Sequence, residues 1–411
     1  MSSFYYRTIN TRERGGGRMS DHQATEQMLG YLYQIRYALA LLLSNDNPDC
    51  QISIEKFDDV AFDKDDQPVQ LIQLKHHIKQ KGNLTDRSSD LWRTLKVWID
   101  FLSQNPALLD STDFLVITTA IAPENSAAGY LKQNDRDPNM AYTILKDVCK
   151  QSQNTAHQKY YDAFLGADQL NLKKLFEHIY IIDGASNILD VEKNVKKQIR
   201  YSCIPKYESL IYERLEGWWY KKAVEALCSD GSTFVTQNQV RSFIVSVSQE
   251  YSDENLPIDD LFDVDNLQEN ALSESEKIFC EQLKLICLGS HRMQNALRDY
   301  YRAFKQRAAW VRNDLLYVNE LEKYEERLID EWYHAFGEMQ DDLAEIKSLT
   351  EEEKVQAGRQ LLSDIEKRDI RIRPKCEEAF VMRGSYHMLA NKLKVGWHVD
   401  FFERLKNLLC T

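Results

Sequence analysis

The pattern of apolar positions changes its period along the chain. Apolar residues recur every three or four positions over 21–44, which predicts a helix. Short runs rich in β-branched and apolar residues follow at 51–57, 58–63 and 69–77 and predict a meander of two or three strands. Helix and strand patterns then alternate, with predicted helices at 88–103 and 158–176 and predicted strands at 113–120 and 178–184. This order predicts a small α/β domain with a mixed sheet.

Beyond about residue 200 the strand-like runs end and only helical spacing continues. An apolar residue appears every three or four positions from 272 to 336, and Gly289 interrupts the pattern. This stretch predicts one very long helix or a hairpin of two. We therefore expect a flexible basic arm at 1–21, an α/β domain at 22–200 and an all-α domain with long helices at 201–411.

Composition and charge narrow the class of protein. The 411 residues include only 15 glycines and 8 prolines, which disfavours a turn-rich all-β protein. The net charge of −12 argues against a protein that coats nucleic acid through bulk positive charge. The 8 cysteines form no CxxC pair, so a zinc ribbon is not expected. No apolar window has the length of a transmembrane helix or a signal peptide, and we expect a cytoplasmic protein without a membrane partner.

Candidate chemistry is concentrated in the predicted meander. Asp59 and Gln73 are separated by about the length of a strand, a turn and a return strand. Gln73 and Lys75 lie on one face of their strand because successive side chains alternate. A hairpin would therefore bring Asp59 beside both residues. The alternative is an exposed strand that carries ordinary polar residues.

These residue types suit a magnesium site. Mg²⁺ takes hard oxygen ligands, which the Asp59 carboxylate, the Gln73 side-chain carbonyl and the Leu74 backbone carbonyl could supply. Lys75 could then hold the attacking water or offset charge on a phosphate.

The order of these motifs resembles the PD-(D/E)XK nuclease superfamily in its D…QxK variant. The chain carries GYLYQ at 30–34, EKFDD at 55–59 and QLK at 73–75. Together they are similar to the double-stranded DNA endonuclease domain of CD-NTase-associated and Lamassu-type anti-phage effectors. The resemblance implies a restriction-endonuclease-like mixed sheet flanked by helices, and double-stranded DNA as substrate.

The same resemblance implies roles for particular residues. It makes Asp59, Gln73 and Glu55 the ligands of a Mg²⁺ ion, with Mn²⁺ as an alternative metal. It makes Lys75 a catalytic residue and brings Gln34 to the site from the first helix.

Basic residues follow the QLK motif in a chain that is otherwise acidic. We expect Lys79, Lys81 and Arg93 to contact DNA phosphates beside the site. The alternative for Arg93 is the solvated face of a helix. His76 and His77 also lie here, but enzymes of this superfamily do not need a histidine base.

A second group of motifs lies near the C-terminus. The sequences RGSYHMLA at 383–390 and VGWH at 395–398 resemble the C-terminal domain of effector subunits in ABC-three-component systems, of which Lamassu is one. The resemblance implies a helical domain that attaches a nuclease to an SMC-like ATPase and a small accessory subunit. Trp397 and His398 could be taken for a ligand pair, but a packed aromatic residue beside a hydrogen-bonded histidine is the simpler interpretation.

The leading hypothesis is the effector subunit of an anti-phage or anti-plasmid defence complex. It would be a Mg²⁺-dependent DNA endonuclease, activated through its ATPase partner and by self-association of the nuclease domains. Two alternatives stay open: a non-catalytic adaptor of such an ATPase complex, and a nuclease effector activated by a cyclic nucleotide.

Overall fold

The computed structural model of the chain describes residues 21–64, 67–76, 82–134, 136–229, 234–259, 278–346 and 348–410. The predicted basic arm lies outside these ranges except for its last residue. The chain divides into two compact units, and the division falls between Val247 and Ser248.

The first unit contains a sheet between two layers of helices. Its strands are β1 (Gln51–Ile54), β2 (Val60–Lys64), β3 (Gln67–Lys75), β4 (Asp113–Thr118), β5 (Ile179–Ile182) and β6 (Val235–Thr236). Its helices are α1 (Asp21–Ser44), α2 (Ser89–Gln104), α3 (Ala127–Tyr130), α4 (Pro138–Gln151), α5 (Gln158–Gly166), α6 (Gln169–His178), α7 (Ile188–Ile199), α8 (Glu208–Cys228) and α9 (Gln237–Glu250), the last of which ends beyond Val247.

The sheet is mixed, with the strand order β5-β4-β3-β2-β1-β6. Strands β1, β2 and β3 form an antiparallel meander, and β6 is antiparallel to β1 at the edge. Strand β3 is parallel to β4, which is parallel to β5. β3 is therefore the strand at which the antiparallel part of the sheet meets the parallel part.

The two faces of the sheet are covered by different helices. Leu71, Phe114 and Ile181 share one core with apolar residues of α2, α4, α5 and α6. Ile52 and Ile72 point to the opposite face and are also buried, at 1% exposure each. Helices α1 and α8 contact β1 and pack on α7, and they cover this second face.

The second unit is helical in its described part. Its helices are α10 (Ile278–Leu285), α11 (Ser290–Arg312), α12 (Glu320–Ala344), α13 (Glu351–Glu366), α14 (Ala379–Asn391) and α15 (Phe401–Leu405). Helix α14 packs on α10 and α11, and α12 packs on α13. The approach of α14 to α11 requires Gly384, because a Cβ atom there would lie 2.1 Å from the backbone oxygen of Asp299.

The predicted fold class is confirmed: an α/β region with a mixed sheet flanked by helices precedes a region of long helices. The strands of the meander and β4 and β5 lie where the apolar runs predicted them. The predicted helix at 158–176 is two helices, because Asp168 caps a new one by accepting hydrogen bonds from the amides of Leu170 and Asn171. The stretch 272–336 breaks at Gly289 and again after Arg312, so its described part forms α10, α11 and most of α12.

The expected boundary at residue 200 falls inside the first unit. Helix α8 belongs to this unit because the indole of Trp219 donates a 2.6 Å hydrogen bond to the backbone oxygen of Ile35 on α1. Strand β6 belongs to it because it extends the sheet beside β1. Among the described residues, no helix is both long and apolar enough to cross a membrane.

Candidate metal and DNA-cleavage site

A short loop between β1 and β2 carries the acidic residues of the site. Glu55 begins the loop in the left-handed region, with φ of 57°, and its amide donates a 3.1 Å hydrogen bond to the backbone oxygen of Asp59. This contact closes the loop over residues 55–59. Asp58 and Asp59 therefore stand immediately before β2, at the end of the meander where β3 also finishes.

Antiparallel pairing of β2 and β3 brings Asp59 beside the QLK motif. Val60 pairs with Ile72, so Asp59 lies across from Gln73. The Asp59 carboxylate accepts a hydrogen bond from the Leu74 amide at 2.8 Å and one from Gln73 Nε2 at 3.2 Å. The hairpin predicted from the spacing of Asp59 and Gln73 is present.

Two oxygens of this cluster converge on one positive charge. Lys75 Nζ donates a hydrogen bond to Gln73 Oε1 and lies 3.9 Å from Asp59 Oδ2. These are the side-chain oxygens that the sequence assigned to a metal ion. Because both oxygens face the Lys75 ammonium, they are oriented as the ligands of a cation would be.

Asp58 is buried behind this arrangement. Its exposure is 8%, and its Oδ2 accepts a 2.6 Å hydrogen bond from the indole of Trp98 on α2. Its Oδ1 accepts from the Asp59 amide at 3.0 Å and from Gln73 Nε2. The pKa of Asp58 is raised to about 7: burial raises it most, the Trp98 hydrogen bond lowers it, and the nearby Asp59 charge raises it.

Sequence reasoning missed the role of Trp98 and the buried position of Asp58. The helical pattern over 88–103 identifies Trp98 only as an apolar position. Its indole N–H indicates that a hydrogen-bond acceptor lies nearby, because a buried tryptophan usually finds one. Which acceptor it finds depends on how α2 crosses the sheet, and the sequence pattern does not contain that information.

Glu55 lies near the cluster and has an exposed side chain. Desolvation of the carboxyl raises the pKa of Glu55, and the Asp59 charge raises it further while Lys75 lowers it. Glu55, Asp58 and Asp59 thus face a single cation, Lys75, within the described cluster. Such an excess of carboxylate oxygens fits a divalent metal ion, with Asp59 and Gln73 as its direct ligands and Glu55 as a supporting acid.

Helix α1 contacts this end of the sheet through Tyr33, the residue before Gln34. The ring of Tyr33 stacks on His76 with the centroids 4.3 Å apart, and its hydroxyl donates to the backbone oxygen of Ser186 at 2.9 Å. His76 immediately follows Lys75. Gln34 itself is half-buried on α1, and its direct role at the metal stays a prediction.

The predicted DNA-binding residues are only partly described. Lys79 and Lys81 lie outside the described residues, as does His77. Arg93 is exposed on α2 and hydrogen-bonds Tyr160, and this contact lowers the pKa of the Tyr160 hydroxyl. It lies about 140° around the helix from Trp98 and so does not face Asp58. Its contact with DNA stays a prediction.

A second cluster of possible metal ligands lies in the C-terminal unit. Glu351, His398 and Asp400 bring ligand atoms within 4.8 Å of one another. Lys354 Nζ lies 2.8 Å from Asp400 Oδ2, and Arg404 bonds both oxygens of Glu351 at 2.6 and 2.8 Å. These cations already neutralise both carboxylates, so the cluster is an ion-pair network.

The buried histidine of this network is also in the wrong form for a metal. His398 Nδ1 accepts a 3.0 Å hydrogen bond from the Asp400 amide, so a neutral ring carries its proton on Nε2. Nε2 is the atom that faces Glu351 Oε1, at 3.3 Å. Trp397 is 0% exposed, so a packed aromatic residue lies beside a hydrogen-bonded histidine, in agreement with the simpler interpretation.

The other motif residues near the C-terminus also serve packing. A Cβ atom on Gly396 would lie 2.1 Å from the ring of Phe401. The hydroxyl of Tyr386 donates to the backbone oxygen of Leu328 at 3.0 Å, and Arg383 pairs with Asp299. The contacts of Tyr386 and Arg383 connect α14 to α12 and α11, and the Gly396 contact packs the segment before α15 against α15.

The comparison with protein families concerns this helical unit. Residues 279–405 match C-terminal domain 7 of the ABC-three component (ABC-3C) systems. This match confirms the resemblance read from RGSYHMLA and VGWH and supports a subunit of an ABC-3C defence system. The ABC-3C match does not extend to the sheet of the first unit.

Two further comparisons add little. The solved structure of the Moraxella osloensis Cap4 SAVED/CARF-domain containing receptor aligns over 68% of this chain and 69% of that chain, with a TM-score of 0.33 and 12% identity. A likeness this low supports no statement about fold or function. No curated protein matches the sequence.

Proposed function

We propose that this chain is the nuclease effector subunit of an ABC-3C defence complex of the Lamassu type, and that its first unit hydrolyses phosphodiester bonds of double-stranded DNA. One observation carries the proposal: Asp59 Oδ2 and Gln73 Oε1 converge on the Lys75 ammonium at the shared end of β2 and β3. This is the arrangement that the D…QxK resemblance requires. The ABC-3C match supports the defence role independently of this site.

The chain's own residues divide the chemical work. Asp59 and Gln73 hold Mg²⁺ or Mn²⁺, and Glu55 supports them from the exposed side. The bound metal supplies a Lewis acid that polarises the phosphate. Lys75 holds the attacking water in place and offsets charge that develops on the phosphate oxygens. Lys79, Lys81 and Arg93 contribute contacts to the DNA backbone.

The helical unit supplies control in this proposal. It attaches the nuclease to an SMC-like ATPase and a small accessory subunit, which hold the enzyme inactive until foreign DNA is sensed. Self-association of the first unit then supplies the two sites that cutting two strands requires. The net charge of −12 suits such control, because the chain alone would not bind DNA indiscriminately.

The decisive experiment measures Mg²⁺-dependent cleavage of plasmid DNA by the complex co-expressed from the neighbouring genes. Lys75→Ala and Asp59→Ala should each abolish cleavage. Lys354→Ala and Asp400→Ala make the same changes in the ion-pair network and should leave cleavage intact. If Lys75→Ala and Asp59→Ala cut as well as the unmodified chain, the proposed site is wrong.

Two outcomes favour the alternatives. A complex that binds its ATPase but never cleaves DNA, with any metal, would indicate a non-catalytic adaptor. Cleavage that starts only on addition of a cyclic nucleotide would indicate an effector of that class. The identity of the neighbouring gene, an SMC-like ATPase or a nucleotidyltransferase, separates the leading proposal from this second alternative.

A further inference from the structure

The indole of Trp98 is fixed from two sides. The side chain is 1% exposed, and its ring lies against Phe114 of β4 with the centroids 5.2 Å apart. Its N–H donates to Asp58 Oδ2 at 2.6 Å. Helix α2 thereby holds the Asp58 carboxylate in one orientation.

Asp58 in turn selects one end of the Gln73 side-chain amide. Asp58 Oδ1 accepts a hydrogen bond from Gln73 Nε2, so the donor end of the amide faces Asp58. The acceptor end, Oε1, therefore turns toward Lys75. An amide has nearly the same shape in both orientations, and only its hydrogen-bond partners distinguish them. Asp59 Oδ1 also accepts from Nε2, at 3.2 Å, so without Asp58 and Trp98 the donor end of the amide would keep only the longer of its two carboxylate contacts, and its orientation would be less firmly fixed.

We infer that Trp98 and Asp58 are positioning residues that orient the amide of Gln73 so that Oε1, and not Nε2, faces the metal. The inference rests on the proposed function, because it matters only if Gln73 Oε1 binds the metal. Neither residue touches the metal or the substrate. Trp98 acts through Asp58, and Asp58 acts through Gln73.

The test measures Mn²⁺ binding to the full-length chain by the electron paramagnetic resonance signal of free Mn²⁺. Trp98→Phe keeps an aromatic ring against Phe114 but removes the N–H donor, and we expect the affinity for Mn²⁺ to fall about tenfold. Trp92→Phe is the matched control. Trp92 lies on the same helix, is 0% exposed and donates a 2.8 Å hydrogen bond to the backbone oxygen of Asp86, away from the site. It should leave the affinity unchanged.

A second variant separates orientation from general damage. Gln73→Glu replaces the amide with a carboxylate whose two oxygens are equivalent, so there is no orientation left to fix. In the Gln73→Glu background, Trp98→Phe should change Mn²⁺ affinity by less than about twofold. A tenfold effect that persists in this background would overturn the inference.

The outcomes also separate this inference from the proposed function. If the unmodified chain binds Mn²⁺ and Asp59→Asn removes that binding, but Trp98→Phe behaves like Trp92→Phe, the positioning inference fails and the proposed function stands. If the unmodified chain shows no Mn²⁺ binding that depends on Asp59, both fail.

Discussion

Two clusters of carboxylates in this molecule look alike in composition and differ in charge balance. In the first unit, Asp58 and Glu55 share one cation, and desolvation raises the pKa of both carboxyls. In the second unit, Arg404 lowers the pKa of Glu351, and Lys354 lowers the pKa of Asp400. The shifts run in opposite directions because desolvation is the largest influence in the first cluster, where one cation opposes it, whereas hydrogen bonds from Arg404 and Lys354 are the largest in the second.

The difference teaches how to distinguish a site from a structural network. Carboxylates that are held close together with too few cations repel one another, and a metal ion that binds between them relieves this repulsion. Carboxylates that each have a lysine or arginine partner are already neutralised by that partner, so a metal ion gains little by binding to them. Both clusters bring carboxylates together, and the number of cations beside those carboxylates is what distinguishes the two.

The largest expected effect comes from the same substitution made in both clusters. Asp59→Asn removes the charge that we propose binds the metal, and we expect DNA cleavage to fall about 10²- to 10³-fold, as for loss of a group that stabilises transition-state charge. Asp400→Asn should leave cleavage unchanged. Initial rates on supercoiled plasmid measure both, and equal losses from the two substitutions would contradict the distinction between the clusters.

The next effect concerns the packing of the second unit. Gly384→Ala places a Cβ atom against the backbone of Asp299, and we expect the unfolding free energy of α14 to fall by about 3 kcal/mol. Gly337→Ala on α12 meets no atom within 4 Å and should stabilise its helix by about 0.5–1 kcal/mol. Hydrogen exchange of the helix amides in the full chain measures both. A stable Gly384→Ala variant would show that α14 does not need close contact with α11.

A smaller effect depends on pH. Burial, together with the Arg383 charge, lowers the pKa of His387 to about 3. The unfolded chain binds a proton near pH 6.5 and the folded chain does not, so stability is fully present above about pH 6.5 and falls by about 1.4 kcal/mol per pH unit below it.

Hydrogen exchange of α14 between pH 7 and 5 measures this slope, after correction for the intrinsic exchange rate. His387→Gln should reduce the slope, whereas His334→Gln, at an exposed position of α12, should not. The same slope in all three chains would mean that His387 does not control it.

The smallest expected effect tests the ion-pair network directly. Glu351→Gln should change Mn²⁺ affinity by less than about twofold and leave its stoichiometry unchanged, because Arg404 and not a metal is the partner of Glu351. Titration followed by the signal of free Mn²⁺ measures this. A lost binding site would place a metal in the second unit and remove the contrast between the two clusters.

The sequence predicted the parts of the fold that local pattern controls. The runs at 51–57, 58–63 and 69–77 became β1, the loop of the site, β2 and β3, and the hairpin placed Asp59 beside Gln73 as expected. The contact between Trp98 and Asp58 spans 40 residues of sequence and depends on how α2 crosses the sheet, which no local pattern records. Helices α4 and α7 were not predicted from their apolar spacing, and the contact of α8 with Ile35 is remote in sequence, so local pattern does not show that α8 packs on α1.

Strand β3 has a consequence for how such a site can be switched. Its backbone is hydrogen-bonded to β2 on one side and β4 on the other, and just before β2 begins, the Asp59 side chain accepts the hydrogen bond of the Leu74 amide. A strand clamped on both sides cannot slide without breaking several pairings at once. We therefore expect regulation of this protein to work by access: a partner would shield or uncover Gln73 and Lys75, and their geometry would be the same in the resting and the active state.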